Sequence, residues 1–384
     1  MARRSPGLAP AWSAISTCKP VAAVSALRQL VAGLIGLLLA LAAWAEAPCR
    51  IAFDLGSSGI RAGASEQSAT ARRDIDYLGP LWAGRSLAET IGPTVFALRD
   101  LPVEAGFGRD CLRVAGGFSA WRLQAEQDAE LLATLLGRIQ LASSVAVLVI
   151  PQNSEGRYGY FGAQQRLGAQ LSSSHVLDIG GGSLQIAGQE RSFGTALGQK
   201  AWRRLLCQTL RDNAAADCLL QPLSQAELAT AAELLKQKLA GLAGTLGDAV
   251  SLTAISRPVT QGIMPAVAKL QGLSADASLL PRPALQASIA VLSEWSLAET
   301  SQNLGIPEKF AAYLLSDMLL VDGLLQATGA DHLAVAELSL TNLPGLLADE
   351  RALAWAQHYD CYLQRLRQSG IGAFDSDPAT CPRP

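Results

Sequence analysis

Two stretches of this sequence combine a carboxylate with a run of small residues in a way that suits phosphate chemistry. The first is Asp54-Leu55-Gly56-Ser57-Ser58-Gly59-Ile60-Arg61, after the apolar Ile51-Ala52-Phe53. The second is Asp178-Ile179-Gly180-Gly181-Gly182-Ser183-Leu184-Gln185, after Val176-Leu177. In each, an Asp ends an apolar run that reads as a strand, and the turn after it leaves backbone N–H groups exposed. Such groups cradle phosphate oxygens, and a neighbouring carboxylate holds a hard cation. Two turns of this kind facing each other would clamp a phosphate chain and its metal ion. The consecutive glycines of the second turn rarely serve packing, because each costs backbone entropy on folding.

The elements that must position these turns follow from periodicity. Strand-like segments fall at 50–54, 60–64, 95–98, 111–115, 145–150, 175–179 and 184–188. Between 120 and 141, Ala125, Leu131, Leu132, Leu135 and Leu136 recur at helical spacing. Strands and helices alternating in this way predict an α/β fold with a mixed sheet. Beyond residue 200 the pattern is mostly helical. Ser224 and Glu227 read as a capping box for a helix over 224–246, and Pro307 opens another that runs to Leu325. Short strands are expected at 250–254 and 333–338. The similarity of the two Asp–Gly turns hints at duplicated halves.

The 384 residues allow about two domains, and 49% hydrophobic with 17% charged residues excludes a disordered chain. A net charge of −2 gives no sign of nucleic acid or of an anionic membrane surface as partner. Arg3, Arg4, Lys19 and Arg28 precede an uncharged run from Leu30 to Ala45. That run is short for a bilayer span of about 20 residues, and Ala43-Trp44-Ala45 fits a small-x-small cleavage site. Residues 1–45 therefore read as a signal peptide or, uncleaved, as an N-terminal membrane anchor. Either way the rest of the chain is exported, to the periplasm or held at the inner membrane.

Without Cys18 of the leader, Cys49, Cys111, Cys207, Cys218, Cys361 and Cys381 remain, an even number suited to an oxidising compartment. Spacing alone leaves their connectivity open. Cys49 and Cys111 each precede a strand-like run, so a bridge is reasonable if those strands are parallel neighbours. Cys207–Cys218 and Cys361–Cys381 are then the local pairs. A zinc site is the rival reading, but there is no CxxC, and His175, His332 and His358 do not cluster in sequence.

Four segments occur together in a telling order: DLGSSGIR at 54–61, SAWR at 119–122, NSEGRYGYFGA at 153–163 and DIGGGSLQIAG at 178–188. In these, and over about 50–345, the chain resembles the exopolyphosphatase / guanosine pentaphosphate phosphohydrolase (Ppx/GppA) family of the actin-like ATPase superfamily. The resemblance implies two actin-like, ribonuclease H-like α/β domains with mixed sheets flanked by helices and a cleft between them. They would span 48–170 and 171–365, with 366–384 as a tail that is loose unless Cys381 ties it down. It implies that Asp54 and Asp178 hold Mg²⁺. Gly56, Ser57, Ser58 and Arg61 would bind one phosphate, Gly181, Gly182 and Ser183 a second, and Arg122 would also contact phosphate. Glu155 matches the carboxylate that orients and deprotonates the attacking water.

The chain departs from the family pattern in several places. Ser58 and Gly59 replace an Asn and a second Ser, and Ser154 replaces a second Glu. Leu252 to Pro258 lacks the glycines of an expected nucleotide turn. Gln185 stands where the family carries Glu. It keeps the shape and an acceptor oxygen but loses the charge, so restoring Glu there is expected to raise metal affinity.

The leading expectation is an exported hydrolase of terminal phosphoanhydride bonds in polyphosphate or a related phosphorylated compound. The alternative is a phosphate- or nucleotide-binding module that has lost activity; a kinase or ATPase fits an ATP-poor setting badly. Residues 215–300 are sparse in Lys and Arg, which argues against long polyphosphate and for short chains or another phosphorylated small molecule. No nucleic-acid partner is expected, membrane contact is confined to an uncleaved N-terminal segment, and a homodimer is left open.

Overall fold

The computed structural model describes residues 49–382 apart from 66, 216, 248–249, 275 and 337–341. The signal-peptide or anchor reading of residues 1–45 falls outside the described residues, as does the end of the strand expected at 333–338.

The first half runs β1 (Arg50–Leu55), β2 (Gly59–Ala64), β3 (Thr70–Asp74), α1 (Leu78–Trp82), α2 (Ile91–Glu104), β4 (Leu112–Gly117), α3 (Ser119–Gln127), α4 (Ala129–Ser143), β5 (Ala146–Val149) and α5 (Gln152–Leu167). Its strands form a sheet in the order β3-β2-β1-β4-β5. The β1–β2–β3 meander is antiparallel, while β1, β4 and β5 run parallel. Ile51, Ala52, Phe53 and Leu55 of β1 are all fully buried, as a central strand covered on both faces requires.

The second half runs β6 (His175–Ile179), β7 (Leu184–Gly188), β8 (Ser192–Thr195), α6 (Gln199–Arg211), α7 (Gln225–Lys238), α8 (Leu242–Leu246) and β9 (Leu252–Ala254). It continues through α9 (Met264–Gln271), β10 (Leu279–Pro281), α10 (Arg282–Glu294), α11 (Leu297–Leu304), α12 (Glu308–Thr328) and β11 (His332–Val335). The sheet order is β10-β11-β9-β6-β7-β8. Again an antiparallel meander, β6–β7–β8, adjoins parallel strands, β6, β9 and β11. The duplication hinted at by the two turns is thus a duplication of sheet topology. Ser224 caps α7 through a capping box with Glu227. Helix α12 is apolar and long enough to cross a bilayer, but most of it is buried in the second core, which is where its leucines belong.

Several expectations are corrected. Residues 95–98 lie inside α2 rather than in a strand, and the helix expected over 120–141 is two helices, with Asp128 capping the second through Leu131 N. The larger correction concerns the C-terminal segment, which packs with the first half and not with the expected 171–365 domain. Cys381 ties the tail down, the condition under which it is not expected to be loose. Helices α13 (Leu343–Ala348), α14 (Glu350–Gln357) and α15 (Tyr359–Ser369) return to the first half, and Leu343, Trp355, Tyr362, Ala373 and Phe374 join its core.

The reason is visible at β5, an edge strand whose backbone groups need partners. The Tyr359 hydroxyl donates to Val147 O at 2.9 Å, and the Tyr362 hydroxyl accepts from Val149 N at 2.7 Å. Cys361 and Cys381 pair across this segment. The other pairs at disulfide distance are Cys49–Cys111 and Cys207–Cys218. The first follows from the parallel β1/β4 register, which sets Arg50 opposite Leu112 and so brings the preceding residues together. Tyr362→Phe, which strands the buried Val149 N–H, should lower unfolding free energy by about 1–3 kcal/mol with an unchanged denaturant slope in urea titration.

Candidate active site

The register of the two hairpins places their chemistry in equivalent positions. Asp54 lies opposite Arg61 across β1–β2, and Asp178 lies opposite Gln185 across β6–β7. Each turn closes by the same short bond, Gly56 N to Gly59 O at 3.0 Å and Gly180 N to Ser183 O at 2.9 Å. The turns then meet. A Cβ on Gly181 would lie 2.3 Å from Ser57 Oγ, so only glycine permits this approach. Between them opens a cavity of about 810 Å³. Its lining includes Asp54, Gly56, Ser57, Ser58, Arg61, Glu155, Asp178, Gly181 and Ser183. Of the residues singled out from sequence, Gly182, Arg122 and Gln185 are not on the cavity wall.

Glu155 sits in the first turn of α5, where the helix N-terminus favours a carboxylate. It lines the cavity although only 8% exposed. Arg122 stands behind it at 4% exposure, on α3. Its Nη1 is 2.7 Å from Glu155 Oε2 and donates to Ile150 O at 2.9 Å, while Nη2 donates to Ser183 Oγ at 2.9 Å. Gln185 Nε2 donates to the same two acceptors, Glu155 Oε2 at 2.9 Å and Ser183 Oγ at 3.0 Å. Arg122, expected at phosphate, directs its two Nη atoms at Glu155, a carbonyl and a hydroxyl. Gln185, expected near a metal, is likewise turned into this network.

Comparison with known proteins places the fold. Residues 124–306 match the sequence model of the Ppx/GppA phosphatase family. No curated protein sequence matches the chain. Among solved structures, the Aquifex aeolicus Ppx/GppA phosphatase, type II variant, superposes with a TM-score of 0.57 at 17% identity, covering 78% of this chain and 98% of that one. An exopolyphosphatase from Cytophaga hutchinsonii gives 0.58 at 16% identity, over 78% and 96%. At such identities the likeness establishes the fold. It is the expected one: α/β with two actin-like halves, each a mixed sheet flanked by helices.

Electrostatics make the cavity floor a place short of positive charge. Burial raises Asp54 to about 6, with Arg61 restraining the rise and Glu155 adding to it. Asp178 rises further, to about 7, through burial and repulsion from Glu155 and Asp54. Burial also lifts Glu155, against the pull of Arg122 and a hydrogen bond from the Asn342 side chain. Buried carboxylates without enough counter-charge are the donor set a divalent cation would satisfy. Among the described residues, no three acidic, His or Cys side chains gather closely enough to hold a metal alone. Mg²⁺ suits that arrangement, since it keeps waters and phosphate oxygens alongside one or two carboxylates.

Sequence reasoning missed several cavity residues. Asn342 reaches the site only because the chain returns to the first half there; its backbone and side chain favour the ionised forms of Asp54 and Glu155. Lys200, at the start of α6, lies beside Gly181. Arg72, Arg257, Lys269 and Lys309 also line the cavity. No local motif marks any of them.

Asp317 on α12 is the remaining buried acid of the cavity wall. Gln199 Nε2 donates to its Oδ2 at 2.5 Å, and Oδ1 has no partner. Burial pushes it from 3.8 to about 8. Folded Asp317 thus stays protonated up to about pH 8, whereas the unfolded chain ionises it near pH 4, so its contribution to stability falls as pH rises between them. Asp317→Asn should raise the melting temperature, by little at pH 4 and by a margin that widens to pH 8, in a calorimetric pH series.

Proposed function

We propose that this protein is an exopolyphosphatase-like hydrolase that removes terminal phosphate from a phosphoanhydride chain. The carrying observation is Glu155, a buried carboxylate on the cavity wall beside two facing Asp–Gly turns. The terminal phosphoryl group lies against the turn of Gly56, Ser57 and Ser58 and that of Gly181 and Ser183, with Arg61 and Lys200 as cationic neighbours. Glu155 orients a water and accepts its proton as the oxygen attacks the terminal phosphorus; the P–O bond to the bridging oxygen breaks, the shortened chain leaves as a phosphate anion, and Glu155 ends protonated. Its affinity for protons, raised by burial, suits a general base. Asp54 and Asp178 would hold Mg²⁺, which supplies charge neutralisation at the phosphate oxygens. Phosphoryl transfer asks little more of a protein than this positioning and charge.

The cavity rim favours a polyanionic substrate more than the sequence did. Residues 215–300 are sparse in cations, but Arg257 and Lys269 from that stretch converge with Arg61, Arg72 and Lys309. Three cysteine pairs at bonding distance support an exported protein, in keeping with the leader-like N-terminus. Denaturing thiol titration of the exported form should find no free thiol in residues 49–384.

Phosphate release should be measured with Mg²⁺ on polyphosphates of graded length and on guanosine pentaphosphate. Glu155→Ala should slow release at least about 100-fold while phosphate binding persists. Unchanged turnover in this variant removes Glu155 from the mechanism. Phosphate binding by the wild type without turnover of any substrate would instead favour the binding module.

A further inference from the structure

Gln185 is 2% exposed and walled off from the cavity, which is a poor place for a weakened metal ligand. What it does touch is specific. Its Nε2 meets Glu155 Oε2 and Ser183 Oγ, and Arg122 meets the same two oxygens. Donors from the two halves of the fold therefore converge on one carboxylate oxygen. The approach depends on Gly156, one residue after Glu155. A Cβ there would lie 3.1 Å from Ala187 Cβ and 3.5 Å from Gln185 Cβ, so α5 rests directly on β7.

An amide is the chemistry this position needs. Arg122 brings one positive charge and Glu155 one negative, and Gln185 adds a hydrogen-bond donor without adding charge. A Glu at 185 has no proton to give when ionised, and would set a second carboxylate beside Oε2 where burial already penalises charge. One of the two would then take up a proton, and Glu155 would be a poorer base.

We propose that Gln185 is a positioning residue for Glu155. With Arg122 it holds Oε2 and so fixes the orientation of the carboxylate toward the attacking water. This rests on Glu155 acting as the base, and it reverses the expectation that a Glu at 185 would improve the site.

The test compares wild type, Q185E and Q185L. In Q185E, kcat for phosphate release should fall about tenfold or more with KM unchanged, and Mn²⁺ affinity by calorimetry should not rise. Q185L, which loses the donor but adds no charge, should lose kcat to a lesser extent. Independently of turnover, the Gln185 side-chain amide protons, assigned in NMR spectra by their loss in Q185L, should be protected from solvent exchange. That protection should weaken in Glu155→Ala. A gain in kcat or in Mn²⁺ affinity for Q185E, or unprotected amide protons in the wild type, overturns the assignment. Wild-type protein that releases no phosphate while its Gln185 amide is protected would sink the hydrolase reading and leave the Gln185–Glu155 clamp standing.

Discussion

The site is organised around a shortage of positive charge in a buried place. Burial raises the affinity of Asp54, Asp178 and Glu155 for protons, Glu155 adds to the rise at both aspartates, and the buried Arg122 guanidinium pairs with Glu155. That guanidinium also bonds to Ile150, just after β5, and to Ser183 in the turn of the β6–β7 hairpin. One side chain thereby joins the first sheet, the Glu155 helix and the second hairpin. Removing one partner of a buried ion pair typically costs roughly 3–5 kcal/mol, because the other charge is left without compensation. Geometry at Glu155 and stability at the junction of the halves are therefore the same problem.

The duplicated halves solve their local charge differently. At equivalent points of the two hairpins, Asp54 faces Arg61 whereas Asp178 faces Gln185. Arg61 restrains the rise at both carboxylates, and burial outweighs it at each. Across from Asp178 the second hairpin carries the neutral Gln185, whose amide is turned to Glu155. Topological symmetry has been kept and electrostatic symmetry abandoned.

The cavity rim extends the same logic with the opposite sign. Arg257 comes from the second half and faces Arg61 and Arg72 of the first, and burial together with these neighbours lowers its affinity for a proton. Like charges held together across a cleft favour the state in which an anion lies between them, and the attraction weakens with salt over about 10 Å at 0.1 M. The floor is short of positive charge, and the rim gathers it around Asp74, which pairs with Arg72. On the proposed function, a phosphate chain with its Mg²⁺ would match both.

How much of this was legible depends on whether a signal is local. Both Asp–Gly hairpins could be read directly, because a strand ending in Asp and a glycine turn lie within ten residues of each other. The Cys49–Cys111 pair was also within reach, since it needs only the β1/β4 register. Residues 95–98 misled because Val95 and Phe96 are good strand formers, while Pro93 lies in the first turn of α2, where proline is tolerated. The C-terminal segment misled because its Ser, Gly and Pro content says nothing of Tyr359 and Tyr362 completing an edge strand. Gln185 shows the limit most clearly. Its alternation along β7 fixes which face it occupies, and the family resemblance implies which charge is missing. Neither says what stands opposite, and that is decided by α5 resting on β7 at Gly156. The same substitution reads as a loss when measured against a metal and as a hydrogen bond when measured against Glu155.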